Sequence, residues 1–294
     1  MAHAPVVPNT PAGSRVWRVV HFPLVLLFIA IAFSIAGSAA AGAIVSALPT
    51  RQYPLVAVGA AIIGALIFMA LYWVFARFVE RRQHADELAP RGGGLELGAG
   101  TAIGLALFST VVAIQWSAGT YRIVETHGLA AILPALGVAI ASSVTEEIML
   151  RGYFFRIVES ALGSWIALLA SAALFGAAHL GNPNATWFAG LAIALEAGVM
   201  LAALYMLTRR LWAAIGVHFA WNLAQGGIYG IPVSGFALPG IIKPAISGPE
   251  WLTGGQFGAE ASVPALAVCT LFGIAVLVAC IRRDQIVQPF WRRR

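Results

Sequence analysis

The sequence predicts an all-α protein, a polytopic transmembrane helical bundle of about eight spans with both termini in the cytoplasm. Three observations lead there. Hydrophobic residues make up 60% of the 294 positions and charged residues only 10%, against roughly 25% charged in an ordinary soluble domain. Mean hydropathy is +0.85, and the apolar residues gather in stretches long enough to cross roughly 30 Å of hydrocarbon. The basic residues then fall almost entirely on alternate connections. Together these exclude a soluble globular enzyme and leave one helical membrane domain.

The stretches run at about 20–47, 54–78, 97–118, 129–156, 163–181, 185–207, 211–229 and 262–281. The first follows Arg15 and Arg18 and begins like a signal peptide. Its apolar run is far longer than a signal core of about 7 to 15 residues, so it is expected to stay as a helix. Residues 1–14, with three prolines and no periodicity, are expected to form a disordered tail. The remainder, 15–294, reads as a single membrane domain. Residues 80–94 (ERRQHADELAPRGGG) read as a charged cytoplasmic loop. The stretch 226–260, rich in glycine and proline, reads either as a solvated extracytoplasmic loop, centred on 230–261, or as a cap that partly re-enters the bundle.

Charge fixes the orientation, because arginine and lysine concentrate on cytoplasmic loops. With the N-terminus inside, 15 basic residues lie inside and only Arg51, Arg122 and Lys243 outside. The net charge of +6 is therefore read as lipid-headgroup binding and orientation, not nucleic-acid binding, since no basic stripe sits on a polar domain. The predominance of arginine, 17 of the 18 basic residues, fits a bacterial plasma membrane through codon bias. Cys269 and Cys280, 11 positions apart on one helix, would lie about 16 Å apart and cannot pair. Gly100, Gly104, Gly137, Gly176, Gly190 and Gly198 would let helices pack closely.

The informative residues are those that break the apolar pattern, because ionisable groups at membrane depth are costly and normally face a bundle interior or an aqueous cavity. They are Glu146, Glu147 and Arg151 in the fourth span, His179 in the fifth, Glu196 in the sixth, and His218 with Asn222 in the seventh. Glu147 and Arg151 stand four apart, the order that favours an ion pair, and an arginine fork can hold a carboxylate by two bonds. Glu146 lies 100° round the helix and is the freer carboxylate, suited to general-base duty. The same trio also suits a structural salt-bridge network. His179 closes LFGAAHL just before the turn-like GNPN, where a lone histidine commonly serves as a hydrogen-bonded helix end. His218 and Asn222 share one helix face and could offer N–H donors to an oxyanion, or could bond between helices. Measured from the expected cytoplasmic turns, Glu146, His179 and His218 scatter in depth by about 12 Å, which a tilt or a bend near 157–163 would have to absorb.

Glu146-Glu147-x-x-x-Arg151, Phe175-x-x-x-His179 and His218-x-x-x-Asn222, in that order on successive spans, resemble the three motifs of the CPBP family of intramembrane proteases (CAAX processing and bacteriocin processing, also called Abi). The resemblance covers roughly 135–225, inside a core of about 129–229, with weaker likeness at Gly230–Gly235 and Gly248–Gly255. It implies hydrolysis of a peptide bond in a membrane-tethered peptide or protein, of CAAX or bacteriocin type, by an activated water without an acyl-enzyme. It implies Glu146 as the base, Glu147 partnered by Arg151, His179 helping to hold the water, and His218 with Asn222 stabilising the oxyanion.

No cofactor is required on this reading. A zinc-dependent version would use Glu146, His179 and His218 as ligands, but HExxH is absent and the Glu147–Arg151 pair would compete with ligation. No serine and histidine stand at convincing spacing and no aspartate lies inside a span, which disfavours serine or paired-aspartate proteolysis. A proton-coupled transporter is the main reading from another class, but the polar set lies in one half of the chain without a repeat. A non-catalytic immunity or scaffold protein would keep the fold alone.

Overall fold

The computed structural model describes residues 19–293, so the expected disordered tail lies outside the described residues. All eight apolar stretches are helical. They form α1 (Pro23–Ala47), α2 (Pro54–Val74), α3 (Gly93–Ser117), α4 (Leu133–Glu147) running on into α5 (Arg156–Leu162), α6 (Ser164–His179), α7 (Trp187–Ile193) running on into α8 (Met200–Thr208), α9 (Trp212–Asn222) and, after a short α10 (Glu250–Thr253), α11 (Val263–Arg282). Six of these segments are long and apolar enough to cross a bilayer, among them the continuous Leu129–Leu162 and Trp187–Thr208. The other two expected spans are shorter. The helix of α6 ends at His179, where GNPN turns the chain, and α9 gives way to a π-helical segment at Leu223–Ile228. The protein is an integral multi-pass membrane protein, with Phe28, Leu55, Leu169 and Leu271 among large apolar side chains left exposed on its flanks.

Local sequence sets the helix starts. Proline stands in the first turn of α1, α2, α4 and α11, where its missing N–H costs nothing and its fixed φ suits the helix. Thr186 and Ser262 cap α7 and α11 by accepting the Ala189 and Ala265 N–H groups.

Small residues then decide which helices touch. A Cβ at Gly100 would lie 2.3 Å from the Ala213 carbonyl oxygen, and one at Gly104 2.4 Å from that of Val217, so α3 and α9 meet backbone to backbone. Gly176 and Gly198 do the same between α6 and the α7–α8 helix, the first facing the Gly190 carbonyl and the second Ala172. Gly137 is the exception among the expected glycines, with only ordinary contact to Ala57.

Two features depart from the sequence reading. An antiparallel ribbon joins β1 (Tyr121–Thr126) to β2 (Ile242–Ile246), with Tyr121 opposite Ile246 and an irregularity between Ile123 and Glu125. The alternating, β-branched text of YRIVET suits it. The stretch 80–94 is also not a simple solvated loop. Glu80 and Glu87 are buried. Arg82 bonds both, through Nε to Glu80 at 2.9 Å and Nη1 to Glu87 at 2.9 Å, while Arg156 Nη2 reaches Glu80 at 2.7 Å. Tyr72 and Arg156 both bond the Gly152 carbonyl oxygen, so this cluster fastens the loop to the helix that carries the acidic motif. Burial alone would raise the Glu87 carboxyl, but Arg156 and Arg82 outweigh it and hold it below its ordinary value.

Candidate active site

The stretch after α9 settles the choice between a solvated loop and a cap. Val233, Ser234, Phe236, Leu238 and Glu260 all line a cavity of about 440 Å³ whose other walls come from α4, α6, the α7–α8 helix, α9 and α11. The cover is closed on itself by tight backbone bonds, including Gly235 N–H to the Phe257 carbonyl at 2.7 Å. Gly235 has φ +87° and lies against the Pro183 carbonyl of the GNPN turn, a place that no side chain could share.

The depth mismatch expected from sequence resolves through a misplaced boundary. The fourth span does not end near 156 but continues to Leu162, and Gly163, at φ +83°, turns it straight into α6. Glu146 lies 17 residues before Gly163 and His179 16 after it, on the two arms of one hairpin, and so they sit at nearly matching depth. His218 comes from a shallower turn, which the structure sets inside the end of α5. Arg209 at the start of that turn bonds Glu159, four residues before Gly163, at 2.6 Å, an offset of about 6 Å at 1.5 Å per residue.

Four of the six residues singled out from the motifs, Glu146, His179, His218 and Asn222, face the cavity. Glu147 and Arg151 stand behind them, fully buried. The Glu147–Arg151 pair forms as expected from its spacing, with Arg151 Nη1 donating to Glu147 Oε1 at 2.8 Å. It is not the two-bond fork, however. Arg151 Nη2 instead donates to the carbonyl oxygens of Ala197 and Gly198, at 3.1 Å each. Those carbonyls belong to the π-helical segment Ala194–Val199, and the guanidinium also stacks over the Phe175 ring at 4.8 Å. One arginine thus ties α4, α6 and the α7–α8 helix together.

The same Glu147 oxygen lies 3.0 Å from His218 Nδ1. A carboxylate accepts only, so Nδ1 carries the proton and the tautomer is set by the network. His218 Nε2 then points to Glu146, with 3.9 Å to its Oε2. That gap is too long for a direct hydrogen bond, and Glu146 Oε2 has no partner. His179 Nδ1 lies 2.8 Å from the Phe175 carbonyl oxygen, the helix-end bond expected of a lone histidine, and the ring lines the cavity as well. Asn222 uses one amide N–H on Ser142 Oγ at 3.0 Å, an interhelical bond that still leaves its second N–H. Among the described residues no three His, Cys, Asp or Glu side chains are grouped as metal ligands would be.

Three lining residues escaped the sequence reading or were left without a role in it. Ser142 was legible, since it precedes Glu146 by four positions on the same helix. Glu196 was noted but had no partner in sequence. Glu260 gave only a faint signal, an acidic residue in the glycine-rich text just before an apolar span, and its position depends on the fold of the cover.

Residues 128–224, 97 of the 294, match the family model described as type II CAAX prenyl endopeptidase Rce1-like. No curated protein and no solved structure matches the chain. All six motif residues lie within the matched segment, whereas α1 to α3 and Glu260 lie outside it. The match falls on the segment that carries all three motifs of the resemblance, about a third of the chain.

Proposed function

We propose that the Rce1-like segment hydrolyses a membrane-associated peptide by a water activated on Glu146, with His218 as the group facing the developing oxyanion. One observation supports this above the rest, the 3.9 Å separation of Glu146 Oε2 from His218 Nε2 while Glu147 fixes the other ring nitrogen. A water between them would hand its proton to Glu146 as its oxygen attacks the scissile carbonyl carbon. The negative charge that forms on the carbonyl oxygen would be met by an N–H at His218 Nε2, when the ring is doubly protonated, and by the free N–H of Asn222. Glu147 balances the imidazolium charge in that state, as a carboxylate behind a catalytic histidine does elsewhere. Collapse breaks the C–N bond, and the proton on Glu146 passes to the leaving nitrogen. His179, its Nδ1–H committed to Phe175, presents Nε2 as an acceptor that helps to orient the water.

The charge asymmetry of the loops would place the Arg82 end of the bundle in the cytoplasm and the ribbon and cover on the far side. The experiment is cleavage of a panel of membrane-tethered peptides, prenylated and not, by the purified protein in detergent. Glu146→Gln should lower kcat by at least about 10²-fold, in the range usual for loss of an acid–base group, and chelators should leave the wild type active. Loss of activity with chelator and rescue by zinc would overturn the glutamate route in favour of a metal-assisted one. Full activity in Glu146→Gln would remove Glu146 from the mechanism.

A further inference from the structure

Resting on the protease reading, we propose that Glu196 and Glu260 form a cation subsite that receives a lysine or arginine side chain of the substrate beside the cleaved bond. Both carboxyls line the cavity that holds Glu146 and His218, and both are almost wholly buried, at 2% and 4% exposure. They come from different elements, Glu196 from the π-helical segment between α7 and α8 and Glu260 from a turn of the cover, yet they lie close enough to act on each other electrostatically. Each retains one oxygen with no hydrogen-bond partner, Oε2 of Glu196 and Oε1 of Glu260.

The remaining walls supply no permanent cation, only the titratable His179 and His218. Among the described residues no arginine or lysine lines the cavity, and its other walls include Ile193, Met200, Val233 and Cys269. His179 acts on Glu260 electrostatically, while Ser234 of the cover and Gln225 of the π-helical segment after α9 bond that carboxyl. Two carboxyls facing one buried space with free oxygens either keep a proton or are matched by a donor that enters, and a cationic donor can release that proton and take its place. An ammonium or guanidinium supplies several N–H donors and the opposite charge. An amide or aliphatic side chain of similar length satisfies neither need.

The pair is also built into the catalytic frame. Arg151, which bonds Glu147 behind His218, holds the Ala197 and Gly198 carbonyls just after Glu196. Gln225, beside Glu260, follows Asn222 by three positions in the next π-helical segment. A side chain seated on the two glutamates would therefore fix the register of the peptide against Glu146, as a specificity pocket does.

The test uses acylated octapeptides that differ only by lysine or norleucine at each position in turn, with the full-length protein in nanodiscs. Binding to the Glu146→Gln protein is measured by fluorescence anisotropy, and cleavage by the wild type is measured in parallel. At one position lysine should improve Kd at least tenfold, and kcat/KM should rise by a similar factor through KM. Addition of Glu260→Gln or Glu196→Gln should bring the lysine-to-norleucine ratio to near one. Equal binding of lysine and norleucine at every position overturns the subsite without recourse to any variant. A lysine preference that survives both glutamate substitutions in folded protein overturns it as well. Selective binding without cleavage by the wild type would sink the protease reading and leave the subsite standing.

Discussion

The two acidic centres of this bundle have opposite designs. At the Arg82 end, Glu80 and Glu87 are buried but matched by Arg82 and Arg156, each carboxylate meeting at least one guanidinium within 3 Å. In the cavity, Glu146, Glu196 and Glu260 share three elements and two histidines, and each keeps an oxygen without a partner. Glu147 lies between these extremes, paired on one oxygen by Arg151 and His218 and bare on the other. Buried charges that are completely matched hold a structure in one arrangement. Buried carboxyls left unmatched gain their partner only when a reactant arrives, and this contrast separates framework from chemistry more sharply than burial does.

The contrast predicts that substitutions in the two centres fail in different assays. The largest expected effect is on turnover: Glu146→Gln removes about 10²-fold or more of kcat while thermal unfolding in detergent stays close to that of the wild type. A large stability loss in that variant would move Glu146 to the framework. Arg156→Met comes next, because it removes one of the two guanidiniums on Glu80, leaving its Oε1 without a charged partner, and weakens the hold on Glu87. Breaking a buried pair from one side costs about 3–5 kcal/mol, so the midpoint of unfolding should fall steeply, with activity per folded molecule kept within a few-fold. Abolished turnover in folded Arg156→Met protein would erase the distinction between the two ends.

How much of this was legible follows from what each residue depends on. The eight helical stretches were readable because lipid demands long apolar runs whatever the packing, and the polar residues that line the cavity were readable because charged groups stand out against such text. Glycines such as Gly100 and Gly104 announced close helix contacts, although their partners on α9 did not. Boundaries were less secure. The polar text of RIVESAL hid six further helical residues after 156, and with them the nearly equal depth of Glu146 and His179. The second role of Glu147 was hidden too, since a pairing across 71 positions with His218 leaves no spacing to read. The ribbon and Glu260 were beyond reach for a related reason. Both are set by how the cover folds back, and its glycine-rich text carries no periodicity.

A third prediction sharpens the intermediate case. Glu147 touches no substrate on this geometry and acts by positioning His218, so Glu147→Gln should lower kcat by roughly 10- to 100-fold, as outer-shell partners of catalytic histidines do, with KM little changed. The pH profile distinguishes it from a merely structural residue. Loss of the carboxylate should shift the limb assigned to His218, and Glu147→Asp should restore part of the wild-type profile. An unaltered profile with uniformly reduced activity would return Glu147 to the framework with Arg151.

The smallest expected effect is the acid response of the matched cluster. Arg156 and Arg82 hold the Glu87 carboxyl below its ordinary value of 4.5 against the opposing effect of burial. A carboxyl depressed on folding contributes stability that is complete above its unfolded value and is lost as pH falls through the folded one. Between pH 7 and about 5 the wild type should therefore unfold at a nearly constant temperature as far as this group is concerned, and below that range its stability should decline. Glu87→Gln should start lower and decline less, because nothing remains at that position to protonate while the neutral amide still accepts from Arg82. The two curves should converge in acid. Parallel curves across the whole range would show that Glu87 gains nothing net from its guanidinium neighbours, and the cluster would then have to be held by packing around Tyr72 and Tyr153 instead of by charge.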